Sequence, residues 1–123
     1  MNDDVVIYQS SDGLVKMEAI VDASNETIWA TQKAMAQLFG VNVPAISKHL
    51  KNIYSEGELA ESMTISKMET VVQRGFRGAV REMVEFYNLD AIISVGYRIN
   101  SRQATAFRQW ATSVLKQYMI KGY

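Results

Sequence analysis

The chain predicts an α+β domain, winged helix-turn-helix-like, with two β-hairpins and a C-terminal helical pair. Three observations carry that expectation. Apolar residues alternate with polar ones near the N-terminus. Two short helical segments meet at a glycine within residues 31–54. A second alternating stretch, turned by QRGFRG, precedes a long segment with apolar residues at three- and four-residue steps.

Each element follows from its residues. DVVIY, residues 4–8, is a short β-like run, and SSDG ends it in a turn where Gly13 is free to take positive φ. Val15, Met17, Ala19 and Val21 then alternate as a half-buried strand returning on the first. TIWA, residues 27–30, extends this as a short strand. Thr31 is a suitable N-cap for QKAMAQLF, in which Met35, Leu38 and Phe39 share a face with Ala36 beside them. Gly40 is placed to end that helix in the left-handed conformation. Asn42 caps a second helix from about Val43 to Tyr54, with the single proline, Pro44, in its first turn. Ile46, Leu50 and Ile53 form its inner face.

SEGEL, residues 55–59, reads as a turn. Met63, Ile65 and Met68 lie among polar residues over 62–72, which is strand-like, and QRGFRG, residues 73–78, turns the chain. Residues 79–87 complete a hairpin, with a helical turn as the alternative. LDAIISV, residues 89–95, reads as a helix stopped by Gly96. Asn100 or Ser101 caps the last helix, whose apolar stripe is Ala104, Phe107, Ala111, Val114, Leu115 and Tyr118. That stripe is core; Trp110 and Tyr118 offer a dimer surface as the competing reading. The whole is one domain, residues 1–123. It divides into an N-terminal hairpin region (1–30), a helix-turn-helix (31–54), a hairpin or wing (62–87) and C-terminal helices (88–123).

Composition narrows the function. The chain has 123 residues, 48% hydrophobic and 21% charged, with no cysteine. It is long enough to bury a core without disulfides or metal staples. Disulfides and thiolate metal sites are excluded, and the expected compartment is the cytoplasm. No stretch reaches the ~18 apolar residues of a membrane span, and the acidic start MNDDVVIYQ is no signal peptide. The zero net charge hides a split. Residues 1–30 carry six acids and one base, a net of −5, and residues 31–123 carry twelve bases and seven acids, a net of +5. Either a polyanionic partner or solvated faces of different sign accounts for it.

The helix pair has the marks of a helix-turn-helix. Ala36 is small where the helices cross, Gly40 follows four residues later, and Ile46 anchors the second helix six residues past the glycine. Its outer face would show Asn42, Ala45, Ser47, Lys48, Lys51 and Asn52. Short polar and basic groups there suit base edges and phosphates in a major groove. The competing reading is an αα-hairpin that only completes the core. Ser47-Lys48-His49-Leu50 also resembles the recognition helix of winged-helix repressors. His49, the only histidine, makes no metal site by itself; it packs or donates to a phosphate. Arg74 and Arg77, set among Gly75, Phe76 and Gly78, form a second candidate surface for the phosphate backbone, against the alternative of a solvated loop. The GFRG pattern lacks the Lys-Ser/Thr of a phosphate loop. No nucleophile with a base, no HExxH and no isolated carboxylate pair is present, so the chain reads as a non-enzyme with no cofactor and no metal.

Two long runs add a family. WATQKAMAQLFGVNVPAISKHLKNIYSEGEL, residues 29–59, and FYNLDAIISVGYRINSRQATAFRQWATSVLKQYMIKGY, residues 86–123, resemble the N-terminal region of the bacterial virulence RhuM family. Ser101, Phe107-Arg108, Trp110 and the closing KGY are similar to phage antirepressor N-terminal domains of the BRO and KilA type. The resemblance implies a DNA-associated protein of mobile-element or phage origin, and a chain that is the N-terminal domain of something longer or a natural short form. The combined expectation is a transcriptional regulator that binds double-stranded DNA as a homodimer on a pseudo-palindromic site. It engages no membrane and no small-molecule substrate. Asn42, Ser47, Lys48, His49, Lys51, Asn52, Arg74 and Arg77 are its contact residues. A protein–protein interaction module, or a scaffold for an enzyme whose catalytic part lies elsewhere, are the rival readings.

Overall fold

The structure, a computed structural model, describes residues 4–120. It is mixed α+β, with five helices and two small antiparallel sheets among those residues. The first sheet has the order β1-β2-β3, built from Asp4–Gln9, Lys16–Asp22 and Thr27–Trp29. Its register runs from Asp4 opposite Val21 to Gln9 opposite Lys16. Pairing by twos puts Tyr8, Met17, Ala19 and Val21 on one face, and all four are buried. Gly13 takes φ 76° in the connecting turn, as that tight reversal requires. The β2–β3 turn is organised by the buried carboxylate of Asp22. It accepts from Ser24 Oγ at 3.0 Å, Asn25 Nδ2 at 2.8 Å, Asn25 N at 3.2 Å and Trp29 Nε1 at 3.0 Å.

Helices α1 (Gln32–Phe39) and α2 (Val43–Ser55) follow. The caps are those the residue types dictate. Thr31 accepts from the Ala34 N–H, and Asn42 accepts from the Ala45 N–H at 2.8 Å. Gly40 is left-handed at φ 68°, and Val41 N donates back to the Ala36 carbonyl to close the turn. Met35, Leu38, Phe39, Ile46, Leu50 and Ile53 are buried in one core with the first sheet.

A short helix α3 (Glu61–Thr64) leads into β4 (Ile65–Gln73), a 3-10 turn at Gly75–Arg77, and β5 (Ala79–Tyr87). This corrects one expectation and decides between the two readings of residues 79–87. Met63 lies in α3 rather than in a strand and is mostly exposed. Residues 79–87 are strand, because each pairs with a residue of β4 from Gln73↔Ala79 to Ile65↔Tyr87. The hairpin joins the body at its base. Ala30 and Tyr87 exchange backbone hydrogen bonds of 2.9 and 2.8 Å, and Phe86 and Tyr87 are buried. Nine paired positions, eight steps of ~3.3 Å, carry its apex about 26 Å from that base.

Helix α4 (Leu89–Ile99) is capped by Asn88, and α5 (Ser101–Ile120) is the longest element. Gly96 does not stop α4, which runs three residues further. Its backbone is helical, and its missing side chain makes room for Phe39 and Ala104. Asn100 serves both helices. Its N–H donates to the Gly96 carbonyl at 2.7 Å, and its Oδ1 accepts from Arg102 N and Gln103 N. Trp110 belongs to an aromatic cluster, with its ring 5.1 Å from Tyr8 and 5.4 Å from Phe107. Tyr118 is half-buried against the same core. The closing KGY lies outside the described residues.

Candidate nucleic-acid interface

Burial fixes how α2 is oriented. Ile46, Leu50 and Ile53 are at most 3% exposed, so the opposite side of the helix faces out. At ~100° per residue, Lys48 and Lys51 both point away from the core, and both are exposed. Ser47 is half-buried and sits on the same flank as Lys51. His49 and Asn52 are half-buried on the other flank, and Asn42 is exposed at the N-terminus. The Asn42 Oδ1 is already committed to its cap, which leaves the amide NH₂ as its outward donor.

The flank with Ser47 and Lys51 borders the base of the hairpin. A cleft of about 410 Å³ lies there, lined by Ser47, Lys51, Tyr54, Glu61, Glu85 and Tyr87 among others. Its walls are pinned by hydrogen bonds. The Thr64 hydroxyl donates to the Ala60 carbonyl, so the 2.8 Å contact with Tyr54 is donated by the tyrosine. Gln32 Nε2 donates to the Tyr87 hydroxyl at 2.9 Å. Burial pushes the phenols of Tyr54 and Tyr87 up, so both are neutral donors and acceptors near pH 7. Glu61 and Glu85 make this cleft less cationic than Lys51 alone suggests. Gln32, Tyr54, Glu61 and Glu85 line the cleft without being among the residues the sequence marks as candidates. Tyr54 lies in the last turn of α2 and Glu61 opens α3, so neither stood out from its neighbours in the sequence.

Arg74 and Arg77 are placed elsewhere, at the hairpin apex. Arg74 makes a bidentate pair with Glu82, with Nε at 2.8 Å from Oε2 and Nη2 at 2.5 Å from Oε1. The pair raises the guanidinium and lowers the carboxyl, first through these hydrogen bonds. Arg81 is paired with Glu69. Arg77 is in no ion pair among the described residues, although its charge also lowers Glu82. Phe76 between them is fully exposed. The predicted residues therefore form two patches, one on α2 and one at the apex, rather than a single cluster. Among the described residues, no group of three His, Cys, Asp or Glu could hold a metal, and no helix is long and apolar enough to cross a membrane.

Residues 63–123 match the model of the virulence protein RhuM family. This half of the chain is RhuM-like. The RhuM-like half runs from the end of α3 through the hairpin and both C-terminal helices. It includes the second of the two runs that carry the resemblance, 86–123, and the QRGFRG hairpin; it does not include the first run, 29–59, or the helix pair at 31–54. No curated protein and no solved structure matches the chain.

Proposed function

We propose that the chain is a double-stranded-DNA-binding domain in which α2 enters the major groove and the β4–β5 hairpin acts as the wing. The observation that carries this reading is the outward face of α2, where Lys48 and Lys51 stand exposed behind a fully buried inner face. A helix held rigidly by Ile46, Leu50 and Ile53 presents such groups without reorganisation, as groove recognition needs. Ser47, Asn42 and Asn52 supply short polar groups for base edges, and His49 a donor toward a phosphate. The hairpin adds reach. Its ~26 Å span is comparable with the ~34 Å helical turn of duplex DNA, so Arg77 and Arg74 contact backbone beyond the groove that α2 reads. A second copy on a pseudo-palindromic site, and a role in transcription for a protein of mobile-element origin, complete the reading.

The test is anisotropy titration of a labelled random duplex at two salt concentrations. Each phosphate contact steepens the fall of log K with log salt by ~0.9, so removing two lysines lowers the slope by up to about 2. The Lys48→Ala/Lys51→Ala protein is expected to bind more weakly and with the shallower slope. Equal binding by both proteins, or none by the wild type at low salt, refutes the assignment.

A further inference from the structure

The β4–β5 hairpin ends in an arrangement that salt bridges and phosphate contacts do not account for. Phe76, a large apolar side chain, is fully exposed at its apex, while the other three phenylalanines, Phe39, Phe86 and Phe107, are buried. The turn that carries it is tightly made. Arg74 N and O bond to Gly78 O and Arg77 N, and Gly78 N bonds to Gly75 O. Gly75 and Gly78 both take positive φ, 55° and 66°, with nothing near the place a Cβ would occupy. The backbone on either side of Phe76 is thus bare, so another surface can approach it closely. Lower down, the Arg74–Glu82 and Arg81–Glu69 pairs brace the two strands across the hairpin.

We propose that Phe76 is a wedge that inserts between two adjacent base pairs of duplex DNA from the minor groove, with Arg77 on the flanking phosphate. The inference rests on the DNA-binding reading above and adds a deformation that reading does not require. A single aromatic ring flanked by bare glycine backbone and a cation suits a stacked base step. The ring replaces part of the stacking it disrupts, and the cation compensates the phosphates drawn together by the kink. A protein pocket as the occupant is less well matched, since the apex offers one apolar group between two arginines. The reach from base to apex lets Phe76 enter the minor groove while α2 occupies the neighbouring major groove.

The experiment uses a duplex of about 30 base pairs with donor and acceptor dyes at its ends, at low salt, so that a kink of the size apolar wedges produce shortens the end-to-end distance. Wild type is expected to raise energy transfer on binding. Phe76→Ala, which removes a solvent-exposed ring and leaves the melting temperature unchanged, is expected to bind about tenfold more weakly at most and to lose the rise in transfer. Phe76→Trp is expected to keep the bend and to show quenched emission, relative to wild type, on binding. DNA binding that depends on Lys48 and Lys51 but produces no bend overturns the wedge and leaves the groove reading standing. A bend retained by Phe76→Ala also overturns it, as does a Phe76-dependent change in self-association with no change in bending. Absence of any binding by wild type overturns both.

Discussion

A Cβ on residue 96 would lie 2.6 Å from Cζ of Phe39 and 2.8 Å from Cβ of Ala104. Gly96→Ala therefore sets two effects against each other. Alanine gains ~1 kcal/mol of helix propensity, but overpacking a tight core costs about 1–3 kcal/mol. The contacts involve a buried ring and a neighbouring helix, so the cost wins. Urea unfolding is expected to show Gly96→Ala less stable than wild type, and less so when Phe39→Leu relieves the clash. Asp22 makes a second prediction. Burial by itself would raise its carboxyl, but the hydrogen bonds from Asn25, Trp29 and Ser24 outweigh that and hold it below the usual range. A lowered folded value means the contribution is present above the unfolded value of ~3.9 and is lost as pH falls through the folded one. Stability of Asp22→Asn is expected to fall less steeply than that of wild type below about pH 4. Parallel acid limbs would refute this.

Among the elements, β4 and β5 stand apart. They pack mainly against each other, and one face, with Lys67, Glu69, Val71, Arg81 and Met83, is exposed along its length. Two-stranded ribbons are marginal in water, and exposed ion pairs such as Arg81–Glu69 add little. Amides of residues 68–84 are expected to exchange hydrogen much faster than those of α4 and the middle of α5. Equal protection would mean the hairpin is held by more than its own ladder. The same contrast explains what the sequence made legible. Alternation and caps located β1 to β3, α1, α2 and the second hairpin, because those signals are local: Thr31, Gly40, Asn42 and Asn100 each act on their own backbone. Gly96 misled because its role is tertiary. A glycine that ends a helix and one that admits a ring from another helix look the same in a single sequence. The two-patch layout was equally hidden. Arg74 and Lys51 are both basic and exposed, and only the register of Ile65↔Tyr87 through Gln73↔Ala79 reveals how far apart they stand.

At the scale of the molecule, α4 is the keystone. It packs against α1, α2, α5 and β3, and Arg98 ties it to Glu56 and Glu58 in the segment after α2. The helix proposed to read DNA is thus braced by the half of the chain that matches the RhuM family. The residue that joins α4 to α5 has a consequence for how this chain can change length. Because Asn100 closes one helix and opens the next, the corner holds no slack. One added residue there would turn α5 by ~100° and swing Ala104, Phe107, Ala111 and Leu115 out of the core. The hairpin apex, where Arg74 to Arg77 are all exposed, absorbs the same insertion in a loop. A single alanine inserted after Asn100 is expected to abolish the cooperative melt, and one inserted after Phe76 to leave it intact. Related chains should accordingly vary in length at the arm and keep a fixed count from α4 to the end of α5.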